Sequence, residues 1–125
     1  MPKILVIDRD ISQGNSLADS IRKSPLEISV VHSVEEALAI FHREPFDLLF
    51  LDVAPEKDPL AAVQSVRQAA DAVFQKRVPL VVVAKSFSES SFLLDTAGVD
   101  VLVEVPVHTE QLFQIIEQFV GCKLL

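Results

Sequence analysis

Five short apolar runs recur along the chain at regular intervals. They are Ile4-Leu5-Val6-Ile7, Ile28-Ser29-Val30-Val31, Leu48-Leu49-Phe50-Leu51, Leu80-Val81-Val82-Val83 and the stretch from Val99 to Val105. Each is brief and mostly β-branched or aliphatic, so each predicts a strand. The intervening segments carry helical spacing. Ile11, Leu17, Ala18 and Ile21 predict a first helix, halted by Pro25. Ser33 and Glu36 form a capping box ahead of Ala37, Leu38 and Phe41, with Pro45 as the stop. Asp58 before Pro59 is an N-cap followed by proline at the first helical position, and Leu60, Val63, Val66, Ala70 and Val73 continue the pattern. Phe92 to Ala97, closed by Gly98, predicts a shorter fourth helix. Thr109 precedes Leu112, Ile115, Ile116, Phe119 and Val120, with Gly121 as the stop of a fifth.

Strands alternating with helices predict a parallel sheet covered on both faces. The first, third and fourth runs are continuously apolar, as strands buried on both sides are. The second carries Glu27 and Ser29, and the fifth alternates with Asp100 and Glu104, so these two are expected at the edges. The expected architecture is a three-layer α/β sandwich with a five-stranded parallel sheet in the flavodoxin-like order 2-1-3-4-5, formed by residues 1–125 as one domain. In that order the topology switches between strands 1 and 3, and ligand chemistry is expected at their C-terminal ends.

Composition narrows the function classes. The chain has 125 residues, half of them apolar, enough for one core. A net charge of −7 with no basic block argues against a nucleic-acid partner. The lone Cys122 cannot form an internal disulfide and fits a reducing compartment. The apolar run near the N-terminus is too short for a signal peptide or a membrane span. A cytoplasmic location away from membranes is therefore expected.

The strand ends hold the candidate chemistry. Strand 1 ends on Asp8-Arg9-Asp10, strand 3 on Asp52, strand 4 on Ala84-Lys85-Ser86 and strand 5 on Val105-Pro106. Asp8 and Asp52 should converge at the switch point, where like charges repel. A hard cation such as Mg²⁺ relieves such repulsion with oxygen ligands, which makes these two the candidate metal ligands. His32, His42 and His108 share no ligand spacing, so neither a zinc site nor a catalytic histidine is expected.

From about Lys3 to Val120 the sequence resembles the receiver (CheY-like) domain of bacterial response regulators. "FDLLFLD" (Phe46 to Asp52) fits the third strand with its terminal phosphoacceptor, "PEKDPL" the following loop, "PLVVVAKS" the fourth strand, and "AGVDVLVEVPV" the segment through the fifth. The resemblance implies that Asp52 stands at the phosphoacceptor position and Asp8 at the first acidic position. It also exposes departures. Arg9 stands where the second acid, a metal ligand in the family, belongs. Ala84 stands at the position of a hydroxyl residue and Val105 at that of the lysine before proline; Pro59 replaces the usual glycine. Alanine cannot hydrogen-bond a phosphoryl oxygen, valine cannot neutralise one, and arginine repels a cation. The expected Mg²⁺ site is therefore weak or absent, and Mg²⁺-dependent phosphorylation of Asp52 impaired.

Substitutes for the missing groups are few. Lys85 and Ser86 read better as loop residues. Asp10 suits an N-cap of the first helix as well as it suits a second carboxylate. Glu104 has the wrong sign and is expected to face solvent. Arg9 offers another solution: a guanidinium can bridge Asp8 and Asp52 in place of a metal.

The resemblance thus implies a signalling module of a two-component phosphorelay, not an enzyme, that binds a histidine kinase or a downstream signalling protein. The face built by the fourth helix, fifth strand and fifth helix is the expected surface for such a partner or for a homodimer, with Phe87, Phe92, Leu94, Val101 and Leu112 as candidates. The alternative is a small Mg²⁺-dependent phosphatase of haloacid-dehalogenase type, in which Asp8 is nucleophile and Asp10 general acid/base. Ile11-Ser12 follows where such enzymes carry Gly-Thr, and no acidic pair appears late in the chain. A flavin site is disfavoured by the acidic first loop and by the absence of Trp and Tyr.

Overall fold

A computed structural model describes residues 3–8, 27–53, 58–84, 98–104 and 108–121. Strands β1 (Lys3–Ile7), β2 (Glu27–Val31), β3 (Leu48–Asp52), β4 (Leu80–Ala84) and β5 (Val101–Glu104) form one sheet in the order β2-β1-β3-β4-β5. All four pairings are parallel. The expected strand order and edges are those observed. Every residue of β3 and β4 is buried, whereas β2 and β5 each leave a glutamate exposed.

The fifth strand is shorter than the Val99–Val105 run. It begins at Val101, because Asp100 turns its side chain back onto Leu80 instead of continuing the pleat. Val105 lies outside the described residues, as do the expected first and fourth helices.

Side-chain alternation splits the sheet into two cores. Leu5, Ile7, Leu49, Leu51, Leu80, Val82 and Leu102 face helices α1 (Val34–Phe41) and α2 (Pro59–Phe74), which contribute Ala37, Phe41, Val63, Val66 and Ala70. On the opposite face, Ile4, Val6, Leu48, Phe50, Val81, Val83 and Val103 meet Leu112, Ile115 and Ile116 of α3 (Thr109–Val120). This is the expected three-layer sandwich. Each fully buried Leu, Ile or Phe contributes roughly 1.5–3 kcal/mol through the hydrophobic effect.

Local chemistry sets the helix ends. The Ser33 hydroxyl accepts the Glu36 N–H at 3.1 Å, while the Glu36 carboxylate reaches back to the His32 N–H at 2.9 Å. The expected capping box is therefore present, displaced by one residue on its return bond. Asp58 accepts the Ala61 N–H at 3.1 Å, with Pro59 as the first helical residue. α2 ends on Gln75 in the left-handed region at φ 54°, and α3 on Gly121 at φ 69°. The Phe41 and Phe74 rings meet edge to face at 5.2 Å, joining the C-terminal ends of α1 and α2.

Candidate functional site

Asp8 directly follows β1 and Asp52 closes β3, the two strands that flank the switch in topology. Ile7 is paired with Leu51, so the two aspartates occupy the next matched step of neighbouring strands. Parallel strands lie roughly 4.8 Å apart, which sets the backbone spacing of the pair. Alternation puts both on the side of the sheet that carries Val6 and Phe50. Both are buried, Asp8 to 2% exposure and Asp52 to 8%. The expected convergence of these two acids is therefore built into the register of the sheet.

The main chain around them is firmly held. The Asp8 N–H donates to the Val31 carbonyl at 2.9 Å, and the Val53 N–H donates to the Val83 carbonyl at 2.8 Å, so ladder bonding continues past both strand ends. The Asp8 carbonyl accepts a hydrogen bond from Nδ1 of His32 at 3.0 Å. This histidine was not legible as part of the site. The available signal was its position immediately after the second strand, next to the end of the first.

Ala84 ends β4 at 2% exposure and belongs to the apolar cluster that also holds Leu51, Val53 and Val63. By the alternation of the sheet its methyl group lies on the face opposite that of Asp8 and Asp52, and it offers no hydrogen-bond donor at this strand end. Glu104, paired with Ala84 across β4 and β5, is exposed, as expected of an edge strand. Arg9, Asp10, Lys85, Ser86 and Val105 lie outside the described residues. His42 and His108 are exposed, on the turn after α1 and at the start of α3.

Among the described residues no group of three or more His, Cys, Asp or Glu side chains is placed to hold a metal ion. Asp8 and Asp52 bring two carboxylates, and Arg9 follows Asp8 in the sequence. Mg²⁺ demands a near-octahedral set of oxygens. Among the described residues this site supplies two carboxylates toward such a set.

The surface candidates divide. Leu112 is fully buried in the core under α3, so it is not available to a partner. Val101 is half-buried, and Phe113, Phe119 and Val120 are partly buried against the same core. Phe87, Phe92 and Leu94 lie outside the described residues. No helix among the described residues is long and apolar enough to cross a membrane.

No family model and no curated protein matches the chain. Solved structures do. The receiver domain of a sensor histidine kinase from Pseudomonas aeruginosa, which has a magnesium ion coordinated in its active-site cleft, superposes with a TM-score of 0.78 at 18% identity, covering 97% of this chain and 98% of that one. A two-component response regulator from Clostridium difficile gives 0.77 at 20% identity, with 97% of each chain covered. The chemotaxis protein CheY4 of Vibrio cholerae gives 0.78 at 21% identity, covering 95% of this chain and 98% of that one. With its sheet order and near-complete superposition on these domains, the chain has the CheY-like fold of response regulator receivers.

Proposed function

We propose that this chain is a receiver domain of two-component signalling that works mainly as a protein-interaction module. Asp52 occupies the phosphoacceptor position, and its Mg²⁺-dependent phosphorylation is impaired. One observation carries this reading: Asp8 and Asp52 end the two strands at the topological switch, while the third strand end nearby, Ala84, presents a buried methyl group. The acidic pair keeps the place where a receiver does its chemistry. The methyl removes a group that chemistry needs, and Arg9 and Val105 remove two more in the sequence.

A phosphoryl group on Asp52 would bring extra negative charge beside Asp8. Such a group needs donors and cations to be held and to be read by the rest of the domain. Neither Ala84 nor Val105 supplies them. Arg9 carries a permanent charge and up to five donors, and in our reading it balances the acids themselves. The domain then signals by docking a protein, a histidine kinase or a downstream component, without a covalent switch. The magnesium seen in the active-site cleft of the Pseudomonas receiver is consistent with an acidic pair at this place in the fold. The phosphatase alternative rests on Asp8 with Asp10, and Asp10 lies outside the described residues.

The test is incubation of the purified protein with acetyl phosphate and Mg²⁺, followed by intact-mass and peptide mass spectrometry. The expected result is little or no phosphoryl addition. Stoichiometric, Mg²⁺-dependent modification of Asp52 would overturn the impaired state, and turnover of a generic phosphoester dependent on Asp8 would favour the phosphatase.

A further inference from the structure

The end of the sheet opposite Asp8 and Asp52 carries an ionic cluster built around one buried arginine. Arg67 lies on the inward stripe of α2, four residues after Val63, and is only 6% exposed. Its Nη1 donates to the Val78 carbonyl at 2.9 Å and to the Asp71 carboxylate at 3.1 Å; its Nη2 donates to Asp100 at 3.3 Å. Its Nε is buried with no hydrogen-bond partner among the described residues. Asp100 in turn accepts Nη2 of Arg77 at 2.9 Å and the Leu80 N–H at 2.8 Å. The Asp100 N–H donates to the Leu80 carbonyl at 2.9 Å, and Nη2 of Arg77 also reaches the Gly98 carbonyl at 3.2 Å.

One carboxylate thus ties together α2, the connection from α2 to β4, and the residues leading into β5. β5 needs such a tie. It is a four-residue edge strand whose only partner among the described residues of the sheet is β4. Asp100 brackets Leu80 through both its main chain and its side chain, which pins the register in which Val101 faces Val81. Buried ion networks add little net stability, because desolvation offsets the attraction, but they can select one arrangement over its neighbours.

We propose that Arg67, Asp100 and Arg77 form a clasp that sets how often β5 opens from the edge of the sheet, as a local unit separate from global unfolding. The clasp acts from the end of the sheet remote from the acidic pair, so it controls the β5 edge whatever happens at Asp52.

Native-state hydrogen exchange on the full chain tests this. Asp100→Asn keeps an oxygen for the Leu80 N–H and removes the charge. Arg77→Ala removes an exposed partner and leaves the core intact. In Asp100→Asn the amides of Leu102 and Glu104, which face β4 by the alternation beginning at Asp100, should exchange roughly tenfold faster or more, the scale of one lost charge-assisted bond. Arg77→Ala should show the same pattern with a smaller rise. Amides of β1 and β3 should keep their protection in both. Unchanged β5 exchange, or a rise shared equally by β1 and β3, overturns the clasp. If Asp100→Asn does not fold, Arg77→Ala decides on the same criterion.

Discussion

His32 holds Asp8 by its main chain: the ring Nδ1 lies 3.0 Å from the Asp8 carbonyl, while the Asp8 N–H donates to the Val31 carbonyl. A carbonyl can only accept, so Nδ1 carries the proton of this bond. The end of β1 is therefore fixed from the β2 side, independently of what the Asp8 carboxylate does. His32→Ala should cost about 0.5–1 kcal/mol in urea unfolding, since the ring is exposed and the bond single. It should also speed amide exchange at Asp8. Unchanged stability with unchanged exchange would mean that the contact holds nothing in place.

Arg9 is expected from the sequence to replace the metal between Asp8 and Asp52. Arg9→Ala should lower stability at neutral pH by about 1 kcal/mol, the scale of a partly solvated ion pair. Arg9→Asp should destabilise more in metal-free buffer and gain Mg²⁺ binding by restoring a third carboxylate. Calorimetric titration of the wild type and of Arg9→Asp compares them directly. Sub-millimolar Mg²⁺ binding by the wild type that is lost in Asp52→Ala would contradict this account.

On the proposed reading, supplying together the groups that the receiver pattern carries should supply the chemistry. The triple variant Arg9→Asp, Ala84→Thr, Val105→Lys is expected to take a phosphoryl group from acetyl phosphate when Mg²⁺ is present. The same triple carrying Asp52→Ala should take none. Mass spectrometry reads both, and a triple variant that folds yet stays unmodified would mean that other departures, such as Pro59 after Asp58, also matter.

The helix ends give a prediction of opposite signs. Gln75 is held at φ 54°, a conformation that favours glycine, so Gln75→Gly should stabilise by up to about 1 kcal/mol. Gly121→Ala should destabilise by about 1 kcal/mol from its φ of 69° alone, because a Cβ there meets nothing within 4 Å. Thermal unfolding of the two variants should move in opposite directions.

The sheet was legible because its signal is compositional. Strands buried on both faces must be apolar throughout, and an edge strand can carry Glu27 or Glu104, so strand order followed from residue type. The acidic pair was legible because the same argument fixes which strand ends are neighbours. Arg67 and Asp100 were not. Asp100 looked like the polar half of an alternating edge strand, yet it precedes the strand and turns inward. Arg67 falls on the apolar stripe of its helix between Val63 and Ala70. A charge on that stripe was the sign of a buried partner, but its identity depends on tertiary placement. Gln75 escaped for a related reason: nothing about a glutamine announces a left-handed backbone.

Ala84 carries a consequence for how such a domain can change over time. Its methyl sits in the apolar cluster with Leu51 and Val63. A hydroxyl at that position must find an acceptor or cost roughly 1–3 kcal/mol on burial. On the reading proposed above, an alanine in place of a hydroxyl residue here adds thermal margin, and that margin can absorb destabilising substitutions elsewhere. Reversion then requires the polar group, its partners and the lost margin to return together, so a substitution that is chemically small acts as a ratchet.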